Sequence, residues 1–118
     1  MAAQIGLTII PATIAAGQSL SPEVDTGAQT LVGIAMPASW VAALLTFQVS
    51  VDGGVTWNEM YASTGVEVEF AVAGGQYIAV DPTLWRGVNA VKIRSGTAAS
   101  PVVQTSAAAL LLVCKFVN

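Results

Sequence analysis

The sequence predicts an all-β protein: a two-sheet, antiparallel β-sandwich, jelly-roll-like, with eight or nine strands and at most short helical turns. The first observation is a hydrophobic period of two that recurs along the chain, whereas no period of 3.6 runs beyond a turn or two. The second is a series of short glycine-rich breaks between the alternating segments. Many short strands joined by such turns are typical of two packed sheets. A chain of 118 residues has room for one core, so residues 1–118 are expected to form one domain.

The alternation is clearest in three segments. Residues 45–51 alternate leucine, phenylalanine and valine with threonine, glutamine and serine. Residues 66–70 alternate apolar side chains with two glutamates, and residues 91–94 alternate them with a lysine and an arginine. Because successive side chains point to opposite faces of a strand, each segment has one core face and one water face, and the charges are expected to point to water.

The full set of predicted strands follows from the same pattern and from the breaks between segments. Single helical turns are expected at 37–43 and 82–86, because each begins with the proline that favours a helix start. The strands are predicted near 5–14, 18–24, 29–36, 44–51, 55–61, 66–72, 76–80, 90–95 and 102–117.

The last predicted strand is apolar at nearly every position from 107 to 116. One of its faces enters the core, and the other needs a cover, which is either a neighbouring segment or a neighbouring subunit. Leu110, Leu112 and Phe116 are the candidate subunit contacts. Residues 5–14 have the same two-faced character, and the two terminal strands are expected to pair.

The composition excludes several classes of partner. Hydrophobic residues make up 54% of the chain and charged residues 9%, against a usual charged share of about 25%. The net charge is −3, and the four scattered basic residues cannot form the stripe that nucleic acids or anionic membranes attract. With so few charges, part of the surface is expected to be buried against other protein, which predicts a homo-oligomer.

The inventory of reactive groups predicts a protein that is not an enzyme and binds no cofactor or metal. The chain has no histidine, which removes the commonest general base and metal ligand. Its single cysteine, Cys114, lies in an apolar run and is expected to be buried, in a chain made in the cytoplasm without a signal peptide. Glu67 and Glu69 share a water face. Glu23 and Asp25 flank a turn, where capping is favoured over binding of a hard cation.

The sharpest local motif has the pattern S-x-D-x-G-x-T-W. It resembles the Asp-box, a hairpin signature of sialidases and many other β-proteins. A single copy predicts a hairpin between strands 44–51 and 55–61, locked by the aspartate and the tryptophan, and no sugar cleavage. Its residues are Ser50, Asp52, Gly54, Thr56 and Trp57.

Two further tryptophans stand in predicted loops and are candidates for an interface or a ligand rim. Trp40 follows a strand, and Trp85 precedes Arg86 in the loop 81–87. Three interpretations stay open: the rings plug the ends of the core, contact a subunit, or form a platform for a glycan.

Three stretches of the chain resemble small structural proteins of tailed bacteriophages: residues 33–40, 45–54 and 91–97. The resemblance implies a virion protein assembled in the host cytoplasm, and above all a capsid decoration (cement) protein. Such a protein binds the major capsid protein or another virion protein as an oligomer, with a trimer favoured. A carbohydrate-binding or host-attachment module of a fibre, and a tail or head–tail connector component, are the alternatives.

Overall fold

Eight antiparallel strands and one short 3₁₀-helix form the regular structure of residues 7–116, the part of the chain that the computed structural model describes. Most strands are short, as glycine-rich turns dictate, and β1 and β8 are the longest. The elements in chain order are β1 (Leu7–Ile14), β2 (Val24–Asp25), β3 (Thr30–Ala35), β4 (Leu45–Ser50), β5 (Asn58–Glu59), β6 (Tyr77–Ala79), the 3₁₀-helix (Pro82–Trp85), β7 (Ala90–Ser95) and β8 (Ala108–Lys115).

The strands form two four-stranded sheets that pack as a sandwich. Sheet I has the order β1-β8-β3-β6, and sheet II has the order β2-β7-β4-β5. Four antiparallel pairs are nested as in one long hairpin rolled over itself: β1 with β8, β2 with β7, β3 with β6 and β4 with β5. Because every connection except β4–β5 crosses between the sheets, the topology is that of a jelly roll. The predicted fold class is confirmed.

The core lies between the inner faces of the two sheets. In sheet I the register aligns Ile10, Leu112, Ile34 and Ile78 in one row across all four strands. In sheet II, Phe47 of β4 is fully buried, and its ring meets Trp85 edge-on with centroids 4.8 Å apart. Burying these apolar side chains supplies the main stabilisation of the sandwich.

The predicted strand 55–61 shortens to Asn58–Glu59, and three further predicted strands are shorter or absent because the backbone changes partners within them. Segment 18–24 contributes only β2 and isolated bridges, since residue 22 is a proline without an N–H donor. Segment 66–72 forms no strand, because its backbone bonds are divided between residues 60 and 45. The last strand begins at 108, because Pro101 and Gln104 bridge to other segments. Residues 5, 6 and 117 of the predicted terminal strands lie outside the described residues.

One of the two predicted helical turns forms. Residues Pro82–Trp85 make the 3₁₀-helix, capped by Asp81, whose carboxylate accepts a bond from the Thr83 N–H at 3.0 Å. The turn predicted at 37–43 is wrong, because that segment is an irregular corner. The Gln104 side chain holds its backbone, accepting from Val41 N at 2.9 Å and donating to Val41 O at 3.1 Å.

Candidate functional site

The Asp-box lies at the turn between β4 and β5, which pair as the motif predicts. The Ser50 hydroxyl donates to the Asp52 carboxylate at 2.7 Å and accepts the Gly54 N–H at 2.8 Å. Asp52 also accepts the Thr56 N–H at 2.9 Å. Gly54 has a φ of 93°, a conformation that side chains disfavour. The motif therefore closes the tip of the hairpin with its own hydrogen bonds.

The aromatic end of the motif folds back over the turn. Trp57 donates its indole N–H to the Gly54 carbonyl at 3.1 Å, and the Lys92 ammonium lies 4.5 Å from the centre of its ring. The bonds from Thr56 and Ser50 lower the pKa of Asp52 to about 2, so this carboxylate is charged at neutral pH. The hydrogen bonds of Ser50, Asp52 and Trp57 lie within the turn, so the motif acts as a structural lock of the hairpin.

Two of the three candidates for a ligand rim are buried in the core. Trp85 is 2% exposed and Trp40 is 9% exposed, with the Trp40 indole donating to the Ala43 carbonyl at 3.3 Å. Of the three open interpretations, burial agrees with the one that places both rings in the core, and it contradicts an exposed interface or ligand rim for Trp40 and Trp85. Arg86 is exposed, and its charge contributes to lowering the pKa of Asp81 behind the larger effect of bonds from Thr83.

The assignment of subunit contacts on β8 is wrong for two of its three residues. Leu110 and Leu112 are fully buried, because the even-numbered residues of β8 point into the core. The odd-numbered residues point outward, and Leu111 is 41% exposed. Phe116, just beyond the strand, is exposed as expected. The predicted second apolar face of this strand therefore exists, but Leu111 and Val113 form it in place of Leu110 and Leu112.

The outer face of sheet I is apolar across all four strands. Ile9 and Tyr77 are more than half exposed, and the Tyr77 ring lies over Gly33, where a side chain would collide with it. The face consists of two aligned rows, which we call the apolar face: Pro11, Leu111, Ala35 and Tyr77 in one row, and Ile9, Val113, Gly33 and Ala79 in the other. The two rows contain no ionisable side chain except the Tyr77 phenol, and Lys115 and Thr13 lie on the same side of the sheet just beyond them. An apolar patch that no other part of residues 7–116 covers often marks an interaction surface.

The outer face of sheet II is polar and partly covered. Arg94 of β7 is 5% exposed and donates to Glu59 at 2.5 Å, to Glu67 at 3.1 Å and to the Thr46 hydroxyl at 3.0 Å. The charges of 66–70 and 91–94 were expected to point to water, and this is wrong for Arg94 and Glu67. The segment after β5 carries Glu67 and folds over Arg94, so the two side chains pair with each other. The Arg94 guanidinium lowers the pKa of Glu59.

The shifted pKa values of residues 7–116 do not include a raised carboxyl pKa or a lowered thiol pKa. The shifted carboxyl pKa values, those of Asp52, Glu59 and Asp81, are all lowered, whereas a general acid needs a raised one. Burial raises the pKa of the Cys114 thiol to about 11, which suppresses the reactive thiolate. Within residues 7–116, no three potential metal ligands lie close enough together to hold a metal ion.

A shallow cleft of about 240 Å³ lies where β1 approaches the segment before β2. Two prolines and the side chains of Ala12, Thr13, Glu23 and Val24 line it. Pockets for small ligands usually measure about 300 Å³ or more and bring several polar groups together. This cleft has one ionisable group, so the apolar face is the stronger candidate site.

A sequence signal for the apolar face was available in β8. Lys115 is the only charged residue of the strand, and a charge at the end of a strand points to solvent. Counting back from it in steps of two assigns Val113, Leu111 and Ala109 to the outer face. The contacts of Arg94 had no comparable signal, because they depend on a segment that is distant in sequence.

Comparisons with known proteins found no relative of this chain. No protein-family model matches the chain, and no similar curated protein or solved structure is found. The helical segment of residues 7–116, Pro82–Trp85, is too short to cross a membrane.

Proposed function

We propose that this chain is a non-enzymatic structural protein of a tailed bacteriophage virion, a capsid decoration protein that binds the head surface as an oligomer. The observation that carries the proposal is the apolar face. Water disfavours a flat apolar surface that spans four strands, and a protein partner removes that cost. In a subunit of a stable assembly, a neighbouring protein covers such a face permanently.

The segments that resemble phage structural proteins support the same role. They lie in and beside the interior strands β3, β4 and β7, and therefore carry the scaffold rather than a reactive site. Jelly rolls occur in viral capsid domains and in lectins. The buried tryptophans favour the capsid role, because a lectin needs exposed rings on which a sugar can stack.

The direct test is sedimentation of the purified chain with empty capsids of the phage whose genome encodes it. We expect the chain to sediment at a saturable, fixed ratio to the major capsid protein, and to remain in the supernatant with capsids of an unrelated phage. A chain that stays in the supernatant with both kinds of capsid contradicts the proposal.

A second measurement addresses glycan binding. Decoration predicts that tryptophan fluorescence is unchanged across a broad panel of glycans, because Trp40 and Trp85 lie in the core and Trp57 is held against the Asp-box turn and Lys92. Saturable quenching by one glycan favours the fibre or host-attachment role instead.

A further inference from the structure

We propose that the Asp52–Gly53 peptide is a latent site of aspartate isomerisation, which the folded hairpin suppresses by binding both reacting groups. In this reaction the backbone nitrogen that follows an aspartate attacks the side-chain carboxyl group of that aspartate. The site has a chemistry of its own, whatever partner the chain binds. Three features of residues 7–116 matter: the residue after Asp52, the bonds of the two reacting groups, and the exposure of the turn.

The residue that follows an aspartate decides how readily this reaction occurs. The chain has three aspartates: Asp25 is followed by threonine, Asp81 by proline and Asp52 by glycine. Proline has no N–H, and the branched side chain of threonine crowds the attacking nitrogen. Glycine has no side chain and leaves its nitrogen unhindered. Asp52 is therefore the aspartate whose sequence favours the reaction most.

The reaction has two steps, and water is its only co-reactant. In the first step the Gly53 nitrogen forms a bond to Asp52 Cγ and gives its proton to a hydroxyl of the protonated carboxyl group, which leaves as water. The product is a five-membered succinimide ring. In the second step water opens the ring. Opening at the backbone carbonyl gives isoaspartate, whose main chain runs through Cβ, without a net change in mass.

The folded turn holds the Asp52 carboxylate in an unreactive state. Its Oδ1 accepts bonds from the Ser50 hydroxyl at 2.7 Å and from the Thr56 N–H at 2.9 Å. The bonds from Thr56 and Ser50 also hold its pKa at about 2, so the carboxylate stays ionised at a pH where an unfolded aspartate begins to protonate. An ionised carboxylate has no hydroxyl to release as water, which slows the first step.

Asn89, which lies outside the Asp-box, holds the second reacting group. Its side-chain oxygen accepts the Gly53 N–H at 3.0 Å, and its side-chain nitrogen donates to the Val51 carbonyl at 3.1 Å. Its backbone N–H donates to the Ser50 carbonyl at 2.9 Å. Asn89 therefore fixes the backbone on both sides of Asp52, and the Gly53 nitrogen is kept from turning towards Asp52 Cγ while these bonds last.

The turn is otherwise open to solvent. Asp52 and Gly53 are exposed, and beyond the neighbours of Gly53 in the chain no atom of the described residues lies within 4 Å of the place where a side chain on it would begin. Hydrogen bonds rather than burial therefore restrain the reaction, and exposed turns open locally more often than a whole domain unfolds. Conversion moves the carboxylate from the side chain to Cα, so the β4–β5 hairpin loses the bonds that lock it.

The test follows isoaspartate at Asp52 while the purified chain is incubated at about pH 5, near the range in which an aspartate protonates. Chymotrypsin, which cleaves after aromatic residues, releases residues 48–57 and separates Asp52 from the other aspartates. Chromatography with mass spectrometry resolves the two isomers, and incubation in water enriched in heavy oxygen adds one labelled oxygen to each chain that passes through the ring. Asn89→Ala is expected to raise the rate at least about fivefold, the factor that one lost hydrogen bond gives. Unfolding the wild type in urea is expected to raise it further.

Three more variants separate opening of the turn from other causes. Ser50→Ala frees the carboxylate instead of the nitrogen, and is expected to accelerate conversion even if Asn89→Ala does not fold. Asn58→Ala is the matched control, because it removes an exposed asparagine of β5 outside the turn. Leu112→Ala lowers the stability of the core without touching the turn. Both controls are expected to convert at the wild-type rate, and circular dichroism confirms that each variant folds.

The outcomes decide the proposal in either direction. Faster conversion of Asn89→Ala or Ser50→Ala, with one labelled oxygen in the peptide 48–57, supports it. It is overturned if the folded variants convert no faster than the wild type, or if the native wild type converts as fast as the unfolded chain. An equal acceleration by Leu112→Ala also overturns it, because the reaction then requires global unfolding rather than opening of the turn.

Discussion

Leu111 and Leu112 are adjacent in β8 and differ in which face of sheet I they occupy, so truncating each to alanine tests the assignment of the two faces. Leu112 is fully buried, in the inner row with Ile10 and Ile34. Leu111 is 41% exposed on the apolar face. The two substitutions remove the same atoms from the same strand, so the difference between them reports the environment alone.

The expected effects follow from burial. Leu112→Ala leaves a cavity in the core and is expected to lower the free energy of unfolding by about 3 kcal/mol, within the range of about 2–5 for buried leucines. For a domain of this size, that lowers the melting temperature by about 12 °C. Leu111→Ala is expected to cost less than about 1 kcal/mol in the monomer, because much of the side chain is already in contact with water.

The assay is urea denaturation followed by tryptophan fluorescence, at a protein concentration low enough to keep the chain monomeric. Repeating it at high concentration adds a second readout, because ligation of the native state by further copies raises its stability. The cost of Leu111→Ala is then expected to grow with concentration, whereas the cost of Leu112→Ala changes little. Equal costs for the two variants in the monomer would refute the assignment of the faces.

Further predictions concern the Asp-box, the ion pairs and the thiol. Ser50→Ala is expected to lower the free energy of unfolding by about 1–3 kcal/mol, because it removes the hydrogen bonds that the Ser50 hydroxyl makes with Asp52 and Gly54, whereas Ser106→Ala, at an exposed position, has little effect in the same urea titration. Because Arg94 lowers the pKa of Glu59 below its usual 4.5, the contribution of Glu59 to stability is full above pH 4.5 and is lost as the pH falls through the folded-state value. Urea midpoints measured from pH 7 to acid are expected to fall most steeply below pH 4.5, and a Glu59→Gln variant with an unchanged profile contradicts this. Cys114, with its pKa raised to about 11, is expected to react with a disulfide reagent only as fast as the chain unfolds; rapid labelling of the folded protein argues against its burial.

Local patterns were sufficient to predict the fold class. Alternation in 45–51 and 91–94 placed β4 and β7 close to their observed bounds, and the Asp-box predicted the β4–β5 hairpin, although β5 is only Asn58–Glu59 within the predicted 55–61. These elements depend on interactions between neighbours in sequence or on the simple division between a core face and a water face. Such elements can be predicted from the sequence because the polarity of each residue and of its neighbours determines which face it occupies.

The predictions of burial and exposure were wrong where a segment distant in sequence covers the residue. Arg94 occupies a position that alternation assigns to water, but Glu59 and Glu67 lie over it because the chain after β5 folds back across sheet II. The loop positions of Trp40 and Trp85 left open whether their rings enter the core or face a partner, and the structure buries both. Neither outcome is encoded in the nearest neighbours along the chain.

The nested pairing of the strands also has a consequence for the order of folding. The contacts range from Val49 with Asn58, close in sequence, to Leu7 with Lys115, near opposite ends of the described chain. Closing a short loop costs less entropy than closing a long one, and each inner pair shortens the loop that the next pair must close. Zippering outward from the Asp-box turn is therefore the cheapest route, and β1 joins β8 last. Since these two strands carry half of the apolar face, that face is complete only when β1 has joined β8.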